Sequence, residues 1–488
     1  MKQGNIKNNY IYNISYEIFR VIVPLITTPY ISRIFGSEGI GTYTLANTYV
    51  QYFILFAGLG FSTYAARELA YVRDDEEQFR NTFWEIMLAR IFCLAVAIAI
   101  YFCTFFVGDW KQDSSYKVCM IYLFAAVFDV SYYFRAIEQF KTIALRNVAV
   151  KAVSLVLIFI LIRNSSQVWL YTLILAASEF LGQAVMVLSI DKEIFRRPKL
   201  EKKRYKKHFG ASVSLFIPTL AIQIYTMLDK VMLGEICGES EAGYYENAQK
   251  MIRLAATVAS AFVAVSVPRM SYYFSKGNIK ELKNHFRKVF QFVSFLVFPM
   301  CFGLIGVAPG FSSWYYGEKF AGIERLVMIG APLIISLGWS NILGNMILIA
   351  TNNQKYYTIS VYAGAGLNVL MNFLCIPGMG AMGATIASVL AEFSGMLLMF
   401  YFSNKKYSLG EGLKGTSRYL AAALIMFGII RLADLFLPYR IWGTCIEILI
   451  GVLSYIGVLA IFQDELLKEF FNAAKEIKKR MIDRGGAR

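Results

Sequence analysis

The sequence predicts an all-α integral membrane protein of about fourteen transmembrane helices, two six-helix bundles in a parallel pseudo-repeat followed by two C-terminal helices. Three observations lead there. The 488 residues are 57% hydrophobic and only 17% charged, with a mean hydropathy of +0.50, whereas soluble chains carry roughly 25% charged residues. The apolar residues fall into blocks of membrane length broken by short polar stretches, as in "IFCLAVAIAIYFCTFFVG" (91–108) and "AVSLVLIFILI" (152–162). And one short motif occurs twice: "GSEGIGTYTLA" at 36–46 and "GESEAGYYENA" at 238–248.

The elements follow in order. A first helix is expected near 10–33, entered through "MKQGNIKNNYIYNIS" with no small-residue cleavage site, so no cleavable signal peptide is expected. The glycines of "GSEGIG" supply a turn into a second helix near 40–62. Apolar blocks then give helices near 83–107, 116–135, 143–163 and 168–190. A basic run, "DKEIFRRPKLEKKRYKKHF" (191–209), separates these from helices near 210–233, 244–267, 287–308 and 323–350. Two small-residue stretches, "GAGLNV" and "GMGAMGATIAS", let helices near 357–375 and 380–403 approach closely. The last two helices are expected near 418–438 and 441–463. The domains are therefore 1–190, a basic linker 191–209, a second bundle 210–403, an added pair 418–463 and a tail 464–488. Pro24, Pro29, Pro218, Pro268 and Pro299 fall within spans and suggest kinks. Pro24 and Pro218 occupy the corresponding helices 1 and 7, where a kink could serve a rocking motion.

Charge placement sets the orientation. With both termini cytoplasmic, about 35 of the 49 Lys and Arg fall in inside loops and tails and about 8 outside, as the positive-inside rule demands. The net charge of +16 is thereby explained without nucleic acid, and the basic linker has no aromatic stacking pattern. Contact of that linker with anionic headgroups of membrane lipids is the other reading. Seven cysteines without CxxC spacing read as small hydrophobes, and the two histidines, His208 and His285, fall in basic loop stretches with no second ligand nearby. Neither a metal site nor a cofactor is expected. No GxxxxGK[ST] motif is present, so direct ATP drive is not expected.

The repeat extends beyond the motif. Gly36, Gly41, Tyr43, Ala46, Arg67 and Tyr71 match Gly238, Gly243, Tyr245, Ala248, Arg269 and Tyr273 at one offset of 202. "RNTF" (80–83) answers "KNHF" (283–286), and "ASEFLG" (177–182) answers "LAEFSG" (390–395). Six helices separate matched positions, so the halves face the same way, as in parallel-repeat transporters, whose sites lie between repeats.

Ionisable residues inside spans cost roughly 2.5–3.5 kcal/mol each and need a reason. The bases are Arg20, Arg33, Arg90, Arg146, Lys151, Lys230, Lys250 and Arg253. They are candidates to line a translocation cavity, since phosphate oxygens crossing low dielectric need counter-charge. Packing explanations stand beside this. Glu17 with Arg20 and Glu246 with Lys250 have helical pairing distances, and Arg33 and Arg146 lie near span ends. Asp229 and Lys230 are adjacent, cannot pair directly and are expected to face a cavity. Asp229 and Glu246 are candidates for ion coupling. Glu179 and Glu392, matched across the repeats, fit a shared packing role or coupling. The tyrosine pairs at 132–133, 272–273, 315–316 and 356–357 read as interfacial anchors, with sugar stacking as the alternative.

"SRIFGSEGIGTY" (32–43), "FDVSYYFRAIEQFK" (128–141), "ALRNVAVK" (144–151), "MLDKVMLGEICGESEAGYYENAQKMIRL" (227–254) and "LNVLMNFLCIPGMGAMGATIASVLAE" (367–392) resemble the polysaccharide-repeat flippases of the multidrug/oligosaccharidyl-lipid/polysaccharide (MOP) exporter superfamily. The resemblance implies a MATE/MOP-like pair of bundles that alternates between inward-open and outward-open states. It implies a substrate of lipid-linked oligosaccharide on an undecaprenyl diphosphate carrier, passed outward across a bacterial cytoplasmic membrane. A polysaccharide polymerase would be a further partner. Arg33 stands in an "SRxxG" pattern similar to a cavity arginine of the peptidoglycan-precursor branch, where two extra helices line a groove for the lipid tail. A cation-coupled multidrug exporter of the same superfamily is the alternative. A membrane-embedded enzyme is disfavoured, because no recognised catalytic motif appears and the polar loops are too short for a catalytic domain.

Overall fold

The computed structural model describes residues 6–108 and 110–468, with side chains apart from those of 6–21, 140, 202–206, 215, 217–219, 221, 222 and 411. Every element among them is helical. Ten stretches of these residues are long and apolar enough to cross a membrane. The chain forms two compact units, up to Glu246 and from Asn247 onward.

The first unit opens with α1 (Ile6–Gly58), 53 residues broken only at Gly36 by a φ of 70°. At a rise of 1.5 Å per residue α1 is about 80 Å long, more than two hydrocarbon thicknesses. The predicted glycine turn is therefore a single-residue break, and Gly36 can make it because it has no Cβ. Pro24 and Pro29 stay inside the helix without interrupting it. A short α2 (Phe61–Tyr71), not foreseen from sequence, follows and buries Phe61, Tyr64, Ala65 and Leu69. Next come α3 (Glu76–Phe102), capped by Asp75, and a π-turn extending it to Val107. The expected helix at 116–135 is three pieces, α4 (Ser114–Val118), α5 (Met120–Val127) and α6 (Ser131–Ala136). After α7 (Phe140–Leu161) and α8 (Val168–Leu188), α9 (Lys202–Ile236) and the first two turns of α10 (Glu239–Ser275) complete the unit. Its inner cluster is aromatic, built from Phe79, Phe83, Tyr132 and Phe134 among others.

The basic linker is less of a loop than its composition suggests. Residues 192–195 form a 3-10 turn with Ile194 buried, and α9 begins at Lys202. The Trp84 indole donates to Ile194 O (2.7 Å), and Lys199 N donates to Asn81 Oδ1 (2.8 Å). His208 is not a loop residue. It is 4% exposed on α9, with Nδ1 2.8 Å from Tyr64 Oη and Nε2 3.1 Å from Glu85 Oε2. His285 likewise lies inside a helix, on α11.

The second unit continues α10 and adds α11 (Ile279–Tyr316), α12 (Ile323–Gly330) and α13 (Leu333–Asn341), the last running into a π-turn (342–349). Then α14 (Gln354–Tyr407) spans 54 residues with one break at Gly380, φ 55°. The two helices expected at 357–375 and 380–403 are thus one kinked element. α15 (Thr416–Asp434) and α16 (Ile441–Ile461) form a hairpin packed on α11. The core of this unit is aliphatic and aromatic, with Phe286, Phe290, Val293, Met346 and Tyr419 at its centre.

Candidate translocation site

Two features dominate the first unit: cations held within helices, and the repeated motif packed against itself. Arg90, on α3, is 6% exposed. Its guanidinium donates to Asp129 O, to Ala126 O (2.8 Å) and to Asp129 Oδ2 (3.2 Å), and lies over the Tyr132 ring. The break between α5 and α6 exposes the carbonyls that Arg90 satisfies. Arg146, on α7, donates to Glu179 Oε1 (2.7 Å) and Glu179 O (3.1 Å) on α8, and Gln183 donates to the same carboxylate (3.0 Å). Room for this guanidinium comes from Gly182, where a Cβ would stand 2.6 Å from Arg146 Nε. That Nε has no hydrogen-bond partner, nor has the buried Gln183 Oε1.

Lys230 and Glu246 form an ion pair at 2.7 Å, bridging α9 to the start of α10. Glu246 therefore meets Lys230 across two helices. Asp229, expected to face a cavity, is 1% exposed and accepts a hydrogen bond from Tyr245 (2.5 Å). Adjacent residues point apart, and here each finds its own partner on α10.

Of the other candidates, Arg33 is exposed at the end of the first half of α1, and Lys151 is half-buried on α7. Lys250 and Arg253 are half-buried on the part of α10 that belongs to the second unit. Arg20 lies on α1, with its side chain outside the described residues. The tyrosine pairs divide. Tyr132–Tyr133 and Tyr315–Tyr316 are core residues, 0–4% exposed, while Tyr272 is 57% exposed as an interfacial anchor should be.

The repeated motif forms one reciprocal contact. Just past the Gly36 break, α1 meets the first turn of α10, which itself follows Gly238 at φ 96°. A Cβ on Gly41 would lie 1.7 Å from Glu239 O, and one on Gly243 would lie 2.0 Å from Ser37 O. Ser37 matches Glu239, and Gly41 matches Gly243, so each half of the motif presses its glycine onto the other's carbonyl. Ser37 Oγ and Ser240 Oγ are 2.7 Å apart, and Thr42 hydrogen-bonds Glu239. Around this seat Glu235 accepts from Tyr49 (2.6 Å) and pairs with Lys111 (2.8 Å). Tyr116 donates to Glu239 (3.2 Å). Sequence reading missed Glu235, Glu239 and Lys111, although Glu239 sits inside the quoted motif. Polar residues between apolar blocks read as loop, and nothing in their spacing reveals partners more than a hundred residues away.

These features define a class: a multi-pass helical membrane protein with charge built into its spans and an internal parallel repeat. Comparison with known proteins narrows it. Residues 6–274, just over half the chain, match the polysaccharide biosynthesis protein family, and the chain belongs to that family. It is a membrane transporter of the MOP superfamily. It is 21% identical over 408 residues to a protein of Escherichia coli K12 named "Putative O-antigen transporter", covering 82% of this chain and 98% of that one. A lipid II flippase, MurJ, of Bacillus subtilis is 23% identical over 213 residues, covering 41% of this chain and 39% of its own. Among solved structures, an inward-closed MurJ superposes with a TM-score of 0.74 at 16% identity, over 94% of this chain and all of that one. An inward-facing MATE-family multidrug transporter gives 0.59 at 14% identity, over 80% and 96%.

Proposed function

We propose that the protein is a flippase for polyprenyl-diphosphate-linked oligosaccharide repeat units, with undecaprenyl diphosphate as the carrier. It would move them from the cytoplasmic to the outer leaflet by alternating access, for capsule, exopolysaccharide or O-antigen-type polymers. The observation that carries this reading is membership of a polysaccharide biosynthesis family over residues 6–274. The chemistry agrees. A diphosphate headgroup needs cations along its way, and Lys151 on α7, Lys230 on α9 and Lys250 and Arg253 on α10 are half-buried bases that could supply them. Arg90 and Arg146, fastened to Asp129 and Glu179, supply helix-to-helix fixing, and Arg33 a cation at a helix end. Asp229 and Glu246 lie beside Lys230 and suit ion coupling, with occupancy of the carboxylates set against the Lys230 pair.

In this reading the repeat bundles are residues 1–190 and 210–403, joined by the linker 191–209, with 418–463 added. Alternating access then requires the glycine seat between α1 and α10 to part and re-form. The protein is a transporter of the bacterial cell membrane and no enzyme, and a polysaccharide polymerase consumes what it delivers.

The test is translocation in proteoliposomes with polyprenyl-diphosphate oligosaccharide, and a cationic dye in parallel. Wild type is compared with Lys250→Ala plus Arg253→Ala. Sugar reaching the far leaflet, reduced at least tenfold in the double variant, supports the proposal. Movement of dye alone, indifferent to both residues, overturns it in favour of a cation-coupled multidrug exporter.

A further inference from the structure

The α15–α16 hairpin ends in a buried acidic pair that plays no part in the path above. Asp434, the last residue of α15, is 7% exposed, and Glu447, in the second turn of α16, is 1% exposed. Arg431, one turn before Asp434, donates to Asp434 Oδ2 (2.8 Å). The other oxygen, Asp434 Oδ1, and Glu447 Oε2 are both buried without a hydrogen-bond partner. Yet the two carboxyl groups face each other, and Tyr439 faces Asp434 from the turn.

α11 closes the third side with uncharged groups. Gly310 faces the pair: a Cβ there would be in ordinary contact, at 3.7 Å, with both Glu447 oxygens and at 3.3 Å from the Tyr439 ring. Trp314 donates its indole N–H to Thr444 (2.9 Å), holding the start of α16 on the same helix. Arg431, Asp434, Tyr439 and Glu447 are the titratable or charged groups at this spot among the described residues.

Two carboxyl groups meet here, and the one neutral donor beside them among the described residues, the Tyr439 hydroxyl, faces Asp434. Carboxylates in contact away from water do not both ionise, and Arg431 balances only one negative charge. We propose that Asp434 and Glu447 together bind one proton, and that this shared proton latches the hairpin turn (435–440) onto α11. The bound proton supplies the donor from one carboxyl to the other: it is covalent to one and hydrogen-bonded to the second. Removing it leaves two anions against one guanidinium, and repulsion drives Glu447 away from Asp434. The turn carries Leu435 and Phe436, 74% and 86% exposed, so its release moves an apolar tip. A bound monovalent cation is the competing occupant, and the experiment separates the two.

The full chain is reconstituted in nanodiscs with a spin label on Leu435→Cys in a background without native cysteines. The turn is expected to be immobile at acidic and neutral pH and to become mobile as pH rises. In Glu447→Gln, a neutral isostere that can donate, it should stay immobile throughout. Infrared spectra should show a protonated-carboxyl band at neutral pH that is lost in both Glu447→Gln and Asp434→Asn. No such band, or a turn immobilised only on adding sodium, overturns the proposal, as does a pH transition that survives in Glu447→Gln. If Glu447→Gln does not fold, Asp434→Asn serves the mobility measurement with the same expected loss of the transition.

Discussion

Gly41 and Gly243 show how much a single hydrogen in place of a methyl can decide. Any side chain at 41 places a Cβ 1.7 Å from the Glu239 carbonyl oxygen, deep inside contact distance. The atom it meets is backbone, which has no rotamer to turn away, so α1 and α10 must separate locally. Such overpacking costs typically about 1–3 kcal/mol, here charged to one seat. Gly41→Ala should therefore weaken that seat and leave the rest of the unit intact. The measurement is disulfide formation between Ser37→Cys and Ser240→Cys, whose parent hydroxyls are 2.7 Å apart. Crosslinking should be fast with Gly41 and at least several-fold slower with Ala. Equal rates would mean that the glycines only make turns. At this scale the sequence was half legible. A base inside an apolar block announces itself, so Arg90 and Arg146 stood out at once. Their partners did not, because Asp129 and Glu179 lie 39 and 33 residues further along and meet them only through helix packing.

Elements were legible wherever apolar length alone decides, as in α7, α8, α15 and α16, each within a few residues of its expected limits. Boundaries failed where glycine or polar residues were taken for loops. At Gly36 and Gly380 two helices meet across a one-residue kink, so the expected turns are there but the helices run right up to them. The basic linker failed for a related reason: charge masked the residues that anchor it. Ile194, the Trp84 indole and the Tyr64–His208–Glu85 chain fasten it to α2 and α3. His208→Phe keeps a planar ring, slightly larger, but removes both ring hydrogen bonds and leaves the wholly buried Glu85 with only the Glu201 N–H on its other oxygen. Stranding a buried polar group costs about 1–3 kcal/mol, more when it is charged. The linker should then loosen, and trypsin should cut after the exposed Arg196 and Lys199 several-fold faster than in wild type. Unchanged cleavage would show that the 192–195 turn holds the segment by itself.

At the scale of the molecule, helix length and charge together give an expected number of crossings and an expected direction for each. Ten stretches qualify as spans by length and apolarity. α14 is one of them yet is about 80 Å long, enough for two crossings about its Gly380 break, and α1 has the same length and the same kind of break. Counting both as pairs and adding α9 gives the fourteen crossings that the apolar blocks suggest. An even number would put both ends on one side, and the positive-inside bias would make that side cytoplasmic. Single cysteines test this directly in a background stripped of the seven native ones. Gln112→Cys, Ser165→Cys and Leu435→Cys should react with a membrane-impermeant thiol reagent added outside intact cells. Asp74→Cys, Lys199→Cys and Lys276→Cys should react only after the membrane is opened. All six positions are exposed, so failure to label reports sidedness and not burial. If α1 crosses once, all six positions invert together; if α14 crosses once, only Leu435 inverts, and Gln112 and Leu435 then lie on opposite sides. A single crossing by α1 would also dismantle the parallel repeat, since helices 1–6 would then no longer match helices 7–12 one for one in number and direction.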